Sequence, residues 1–218
     1  MTANYRSVFD IIGPTMIGPS SSHTAGAVKI GRAARKIFVG QFHTVQVDYY
    51  ESFAATHKGH GTDYAIVAGV LGFKEDDPRV PDAVTIARDR GIKIVFIEHT
   101  IPSPIGHPNT AIVTLEGHHE KIKLAGCSIG GGTIEVRQIE LLGQRIKLRG
   151  PLPTLVCMGP RKNLLLAEEK LKNEHINVLH KRLSKFKYEF IQELNTDKLT
   201  PPQTLNKLAQ MCSRIIEL

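Results

Sequence analysis

Gly150-Pro151-Leu152-Pro153 marks the point at which this 218-residue sequence changes character. Before it, glycine and histidine are abundant; after it, glycine nearly disappears while lysine and glutamate increase. Clustered proline and glycine at a compositional change mark a linker, so one domain is expected over residues 1–150 and a second over 151–218. Downstream, the pattern predicts a strand in PTLVCMG (153–159) and a helix in NLLLAEEKLKNEH (163–175). Strands follow in INVLHKRLSK (176–185) and KYEFIQEL (187–194), then a helix in PPQTLNKLAQMCSRI (201–215) and a short final strand.

That βαββαβ order is the ferredoxin-like arrangement, a scaffold with no function of its own. Upstream, helices are predicted in GAVKIGRAARKIF (26–38), DYAIVAGVLGF (63–73) and VPDAVTIARDRG (80–91). The alternating segments TVQVDYYES (44–52) and IKIVFIEHT (92–100) read as strands, as do TAIVTLEG (110–117), EKIKLAGCSI (120–129) and GTIEVRQI (132–139). Helices and strands mix without regular alternation, so the fold class is α+β rather than a doubly wound sheet.

Composition narrows the function classes. With 41% hydrophobic and 22% charged residues the chain reads as an ordinary globular protein, with no apolar run long enough for a bilayer. The N-terminal MTANYRSVFDIIGP lacks the pattern of a secretory signal, and a cytoplasmic protein is expected. The net charge of +7 is scattered and interleaved with acids, as in LAEEKLKNEH, which argues against a nucleic-acid face. Cys127, Cys157 and Cys212 are far apart and form no C-x-x-C pair, which argues against a disulfide framework, a zinc knuckle or a cluster held by this chain alone.

Four segments carry chemistry. In Gly18-Pro19-Ser20-Ser21-Ser22-His23-Thr24 the serines precede a helix whose first N–H groups favour an anion such as a carboxylate. His23 stands within reach of such an anion as a proton carrier. The plain alternative is a well-capped helix with an incidental histidine, but three consecutive serines exceed what capping needs. The same recipe recurs in Gly59-His60-Gly61-Thr62-Asp63, where His60 precedes another helix. Its alternative is a glycine turn capped by Thr62 or Asp63. His107, Asn109 and Thr110 in the turn GHPNT either reach a substrate or are ordinary loop residues. Gly130, Gly131 and Gly132 either offer successive N–H groups to an anion or form a mobile hairpin turn. They lack the lysine and the following helix of nucleotide-binding loops.

Taken together, GPSSSHTAGAVKIG (18–31), SFAATHKGHGTDYAIVAGVLGF (52–73), GHPNT (106–110) and SIGGGTIEV (128–136) resemble the beta chain of iron–sulfur L-serine dehydratases over roughly residues 5–150. The same unit looks like the allosteric substrate-binding domain of some bacterial phosphoglycerate dehydrogenases, and the tail looks like an ACT domain. The resemblance implies conversion of L-serine to pyruvate and ammonia, with a [4Fe–4S] cluster ligated by a partner alpha subunit. The residues fit that chemistry: His23 is expected to transfer a proton or orient the substrate, with His60 as the other candidate, and the carboxylate seat is lined by Ser20, Ser21, Ser22 and Thr24. Gly61, Thr62, Asp63, His107, Asn109, Thr110 and Gly130–Gly132 are further candidates for the pocket. A homodimer through the ACT-like domain is also implied, whereas Met158-Gly159-Pro160-Arg161-Lys162-Asn163 lacks the acidic-Pro-Gly order of ligand-binding ACT domains. The rival reading is a non-catalytic module binding serine or another hydroxy acid. A pyridoxal-phosphate enzyme is a weaker rival, since no convincing Schiff-base lysine and phosphate loop are paired.

Overall fold

The computed structural model describes residues 15–148 and 152–218. The junction expected at Gly150-Pro151 lies outside the described residues. The described residues separate into two compact units, divided between Lys147 and Leu148.

In the first unit a wide helical turn, Ser21–Ala25, runs directly into helix α1 (Gly26–Ile37). Strand β1 (Phe42–Tyr50) leads to helices α2 (Glu51–Thr56), α3 (Thr62–Val70) and α4 (Ala83–Asp89), then to strand β2 (Lys93–His99). Strands β3 (Thr110–Gly117), β4 (Lys121–Gly130), β5 (Thr133–Leu141) and β6 (Gln144–Lys147) complete a sheet of order β2-β1-β3-β4-β5-β6. Only β1 and β2 pair in parallel, and a parallel pair needs a crossover, which α2–α4 supply. Directly paired residues share a face of a sheet. The row Phe96, Val47, Val113, Leu124, Ile139 and Ile146 therefore runs across all six strands on one side. α1 packs on β3, β4 and β5, and buries Val28, Ile30 and Ile37 completely.

Two differences from the sequence reading concern chain reversals. TVQVDYYES does not stay extended to Ser52, because Glu51 turns to φ +46° and starts α2 at once. β6, four residues after a glycine turn, was too short to stand out as alternation.

α3 is apolar on every side and buried from Ala65 to Val70, as expected of a helix with no wet face. It crosses α1 at paired glycines. A Cβ on Gly31 would fall 2.1 Å from the Ile66 carbonyl oxygen, and one on Gly69 would fall 2.0 Å from that of Val28. Since the obstructing atoms are backbone, the helices would have to separate. Gly69→Ala is therefore expected to destabilise the fold by about 1–3 kcal/mol despite alanine's better helix propensity. A thermal melt checks this; an unchanged Tm would mean that the helices are not in close contact.

The second unit consists of β7 (Thr154–Gly159), α5 (Arg161–Asn173), β8 (Val178–Phe186), β9 (Glu189–Thr196), α6 (Pro202–Ala209) and β10 (Arg214–Glu217). Its sheet is antiparallel throughout, in the order β10-β7-β9-β8. Leu155 and Cys157 of β7 join Leu164, Leu171, Leu194 and Leu208 in the core beneath the helices. The last helix is shorter than its sequence pattern. The N–H groups of Met211 and Cys212 both turn back to the Leu208 carbonyl, and Ser213 N–H already bonds Met158 O at the start of β10 pairing. The structure is thus α+β with two separate sheets. Among the described residues no helix is long and apolar enough to cross a membrane.

Candidate active site

The first motif is built around the entry to α1. Gly18 sits at φ +151°, where a Cβ would be 2.3 Å from Thr24 Cγ2, so glycine lets the chain close against Thr24. Ser20 is extended, and its Oγ accepts the His23 N–H at 3.2 Å, the bond expected of an N-cap. Ser21–Ala25 winds as a π-helical turn, a local widening that recurs at functional sites. Ser22 Oγ lies 2.9 Å from His23 Nδ1, and Ser20 Oγ lies 3.3 Å from Ser22 Oγ. The serines therefore cap the turn and also fix one side of the imidazole. Ser21 is half-buried in the same turn.

The second motif reaches the same place. Thr24 Oγ1 donates to the His60 carbonyl at 3.1 Å, and the His60 ring meets the His23 ring edge-on at 4.8 Å between centroids. Phe53 of α2 closes on His23 at 5.1 Å. Burial foremost, and the neighbouring His60 second, hold the His23 pKa below its ordinary 6.5, so the ring stays neutral at neutral pH. His23 Nε2 is buried and has no hydrogen-bond partner among the described residues. An orphaned buried polar atom is costly, about 1–3 kcal/mol, and calls for a specific explanation, a catalytic role among them.

Other members of this motif have different partners. Gly61 caps α3 at φ +72°, and a Cβ there would collide with the Tyr64 ring. Thr62 is fully buried. Asp63 Oδ1 lies 2.6 Å from Nδ1 of His57, whose Nε2 lies 2.8 Å from Glu98 Oε1 on β2. His57 is only 3% exposed and stacks on Tyr49 at 4.6 Å. Burial, with Asp63 beside it, pushes the Tyr49 hydroxyl pKa well up. Lys58 Nζ also bonds Glu98 Oε1 at 2.8 Å, and that bond, with His57 after it, holds the Glu98 carboxyl below its usual range.

The third motif joins indirectly. Asn109 Nδ2 donates to Ser128 O at 3.3 Å, and Ser128 N–H returns a bond to Asn109 O at 3.0 Å. Ser128 in turn presses on α1: a Cβ at Gly26 would be 2.4 Å from its Oγ, a buried hydroxyl without a partner. Phe53 N–H bonds Pro108 O, linking the loop to the ring that packs on His23. His107 and Thr110 bond within their own loop, Thr110 Oγ1 donating to His107 O at 2.6 Å and His107 Nδ1 accepting the Asn109 N–H. Burial, then the Arg137 guanidinium, lowers the His107 pKa. Gly130, Gly131 and Gly132 form the β4–β5 turn at φ +105°, +58° and +74°. Cys127 next to this region is a buried thiol whose pKa burial pushes to about 11, so it is no thiolate nucleophile.

The structure thus brings Ser20–Thr24 and His60 together, with Asn109 connected through Ser128. Sequence reasoning missed Phe53, His57 and Glu98, and it named Ser128 only as the start of the glycine segment. A signal for His57 was present in HKGHGTD, where His57, His60 and Asp63 are spaced by three. Glu98, on a distant strand, left none.

Comparison with known proteins gives a consistent picture. The serine dehydratase beta chain family matches residues 7–139. The chain is 50% identical over 155 residues to the probable L-serine dehydratase beta chain of Bacillus subtilis, covering 71% of this chain and 68% of that one. It is 34% identical over 213 residues to the L-serine dehydratase beta chain of Peptoniphilus asaccharolyticus, covering 97% and 86%. Mycobacterium tuberculosis L-serine dehydratase is 30% identical over an alignment of 203 residues that covers 77% of this chain and 42% of that longer protein.

Proposed function

The chain belongs to the serine dehydratase beta-chain family, and from that premise we propose that it is the beta subunit of an iron–sulfur L-serine dehydratase, converting L-serine to pyruvate and ammonia with a [4Fe–4S]-bearing alpha subunit. Within the chain, the observation that carries this reading is the buried, unpartnered His23 Nε2 at a helix entry beside His60. All three cysteines are buried free thiols, and no three His, Cys, Asp or Glu side chains among the described residues group to hold a metal. The proposal places the cluster's ligands on the alpha subunit. When bound there, such a cluster supplies Lewis-acid chemistry at the serine hydroxyl.

The chain's own residues do the rest. The serine carboxylate rests on the first turn of the Ser21–Ile37 helical run, held by its N–H groups and by the Ser21 hydroxyl. With Nδ1–H donating to the Ser22 hydroxyl, His23 Nε2 keeps a lone pair and takes the substrate's α-proton. Loss of that proton and of the hydroxyl leaves an aminoacrylate, which tautomerises and hydrolyses to pyruvate and ammonia. Because Nε2 is buried, substrate reaches it only when a neighbour moves; the exposed, edge-packed His60 ring is free to do so and then orients the substrate. Asn109 and the Gly130–Gly132 backbone are proposed for the pocket wall. His107, Thr110, Thr62 and Asp63 shape the loops behind it.

Ser21→Ala is expected to raise KM for L-serine about tenfold, the loss of one bond to a charged group, with kcat little changed. Steady-state kinetics test this, and an unaltered KM would place the carboxylate elsewhere. The reaction itself is tested by following pyruvate release from L-serine with and without a cluster-loaded alpha subunit.

The βαββαβ order and the β10-β7-β9-β8 sheet support reading residues 151–218 as an ACT-like domain. Exposed Leu165, Leu166, Leu179 and Leu183 on α5 and β8 support pairing of two copies through it.

A further inference from the structure

The segment carrying His60 is closed on itself by a single side chain. His57 and Asp63 bound the six-residue step His57–Asp63, and their side chains meet at 2.6 Å, leaving His60 at the middle of the loop. The other ring nitrogen of His57 meets Glu98 at 2.8 Å, which fastens the loop to β2. Its face stacks on Tyr49 of β1 at 4.6 Å and 23° between planes. Each ring nitrogen of His57 therefore faces a carboxylate oxygen at hydrogen-bond distance, one from within the loop and one from β2. The backbone follows the same closure: Thr62 N–H bonds His57 O, and His60 N–H bonds Thr56 O. Outside the loop, Thr24 Oγ1 holds the His60 carbonyl. His60 is thus an exposed ring on a backbone fixed from both sides.

We propose that His57 is a positioning residue for the reaction: clamped between Asp63 and Glu98, it holds the loop so that His60 stands over His23. The assignment rests on the dehydratase reading above. It explains why a histidine with no access to substrate, 3% exposed, occupies two carboxylates at once. Lys58, on Glu98 from the solvent side, steadies the outer carboxylate and is not needed for the closure.

The test uses His57→Gln and Glu98→Gln in the two-chain enzyme. Glutamine at position 57 retains a donor for one carboxylate but cannot span both. Glu98→Gln loosens the same clamp from a half-exposed position where folding is not at risk. Both are expected to lower kcat, by up to about 10²-fold for a misplaced group, with KM changed less than about threefold. Amide hydrogen exchange at residues 58–61 of the full chain should accelerate about tenfold or more in both, while exchange in β3 and β4 stays unchanged. An unchanged kcat with faster loop exchange would overturn the proposal, leaving His57 a structural residue only. A lowered kcat with unchanged loop exchange would also overturn it, since His57 would then act by another route. If His60→Ala retains full activity, the underlying reading of His60 fails instead, and the exchange data still show whether the clamp exists.

Discussion

His23→Ala is expected to lower kcat by about 10²–10⁴-fold, the usual contribution of a positioned proton-transfer group, while leaving the subunits folded and associated. The loss should appear in kcat and kcat/KM together, because the residue acts on the reacting proton rather than on the bound carboxylate. Folding is spared because the capping bond at this position uses the His23 backbone N–H, which alanine retains. The side chain itself is half-buried and contacts Phe53 and His60 at a site edge rather than in the core. Circular dichroism and gel filtration of the complex establish the fold, and pyruvate release gives the rate. Activity within a few-fold of the parent would remove His23 from proton transfer.

The second large effect is expected at His60. His60→Ala should lower kcat by about 10²-fold and also change how the reaction responds to pH. Burial and the nearby His60 lower the His23 pKa together, and both causes weaken when the His60 ring is removed. The His23 pKa then moves back up toward 6.5. Only neutral His23 accepts a proton, so the acid limb of kcat/KM, which lies below 6.5 in the parent, shifts to higher pH in the variant. The titration of the His23 ring followed by NMR in the full chain should move in the same direction. If neither the limb nor the titration moves, the two rings do not influence one another and the paired-histidine site is wrong.

Much of this was legible in the sequence where the signal is local. The helix entry at Ser20–Thr24 could be read because capping is a property of a few adjacent residues, and Ser20 caps as its type predicts. α3 was legible from its unbroken run of small apolar residues, though not the reason for Gly31 and Gly69, which lies in the approach of two helices 38 positions apart. Helix α2 was hidden because its start depends on one residue, Glu51, adopting positive φ, which glutamate rarely does and no pattern announces. Within the site, His23 and His60 stood out because each occupies a glycine- and hydroxyl-rich turn. His57 left only the spacing to Asp63 as a local signal, since its other carboxylate partner, Glu98, is 41 residues away on β2. Thr24 illustrates the same limit: its hydroxyl bonds the His60 carbonyl, 36 residues away, a contact that only the fold creates.

The most direct measurement is anaerobic co-expression of this chain with a cluster-loaded alpha subunit, followed by assay of pyruvate release from L-serine. Turnover is expected to require both chains and an intact cluster, and to fall to background when His23 is alanine. A cluster-loaded complex that releases no pyruvate, with L-serine still bound by this chain alone, would contradict the dehydratase reading and make the chain a binding module.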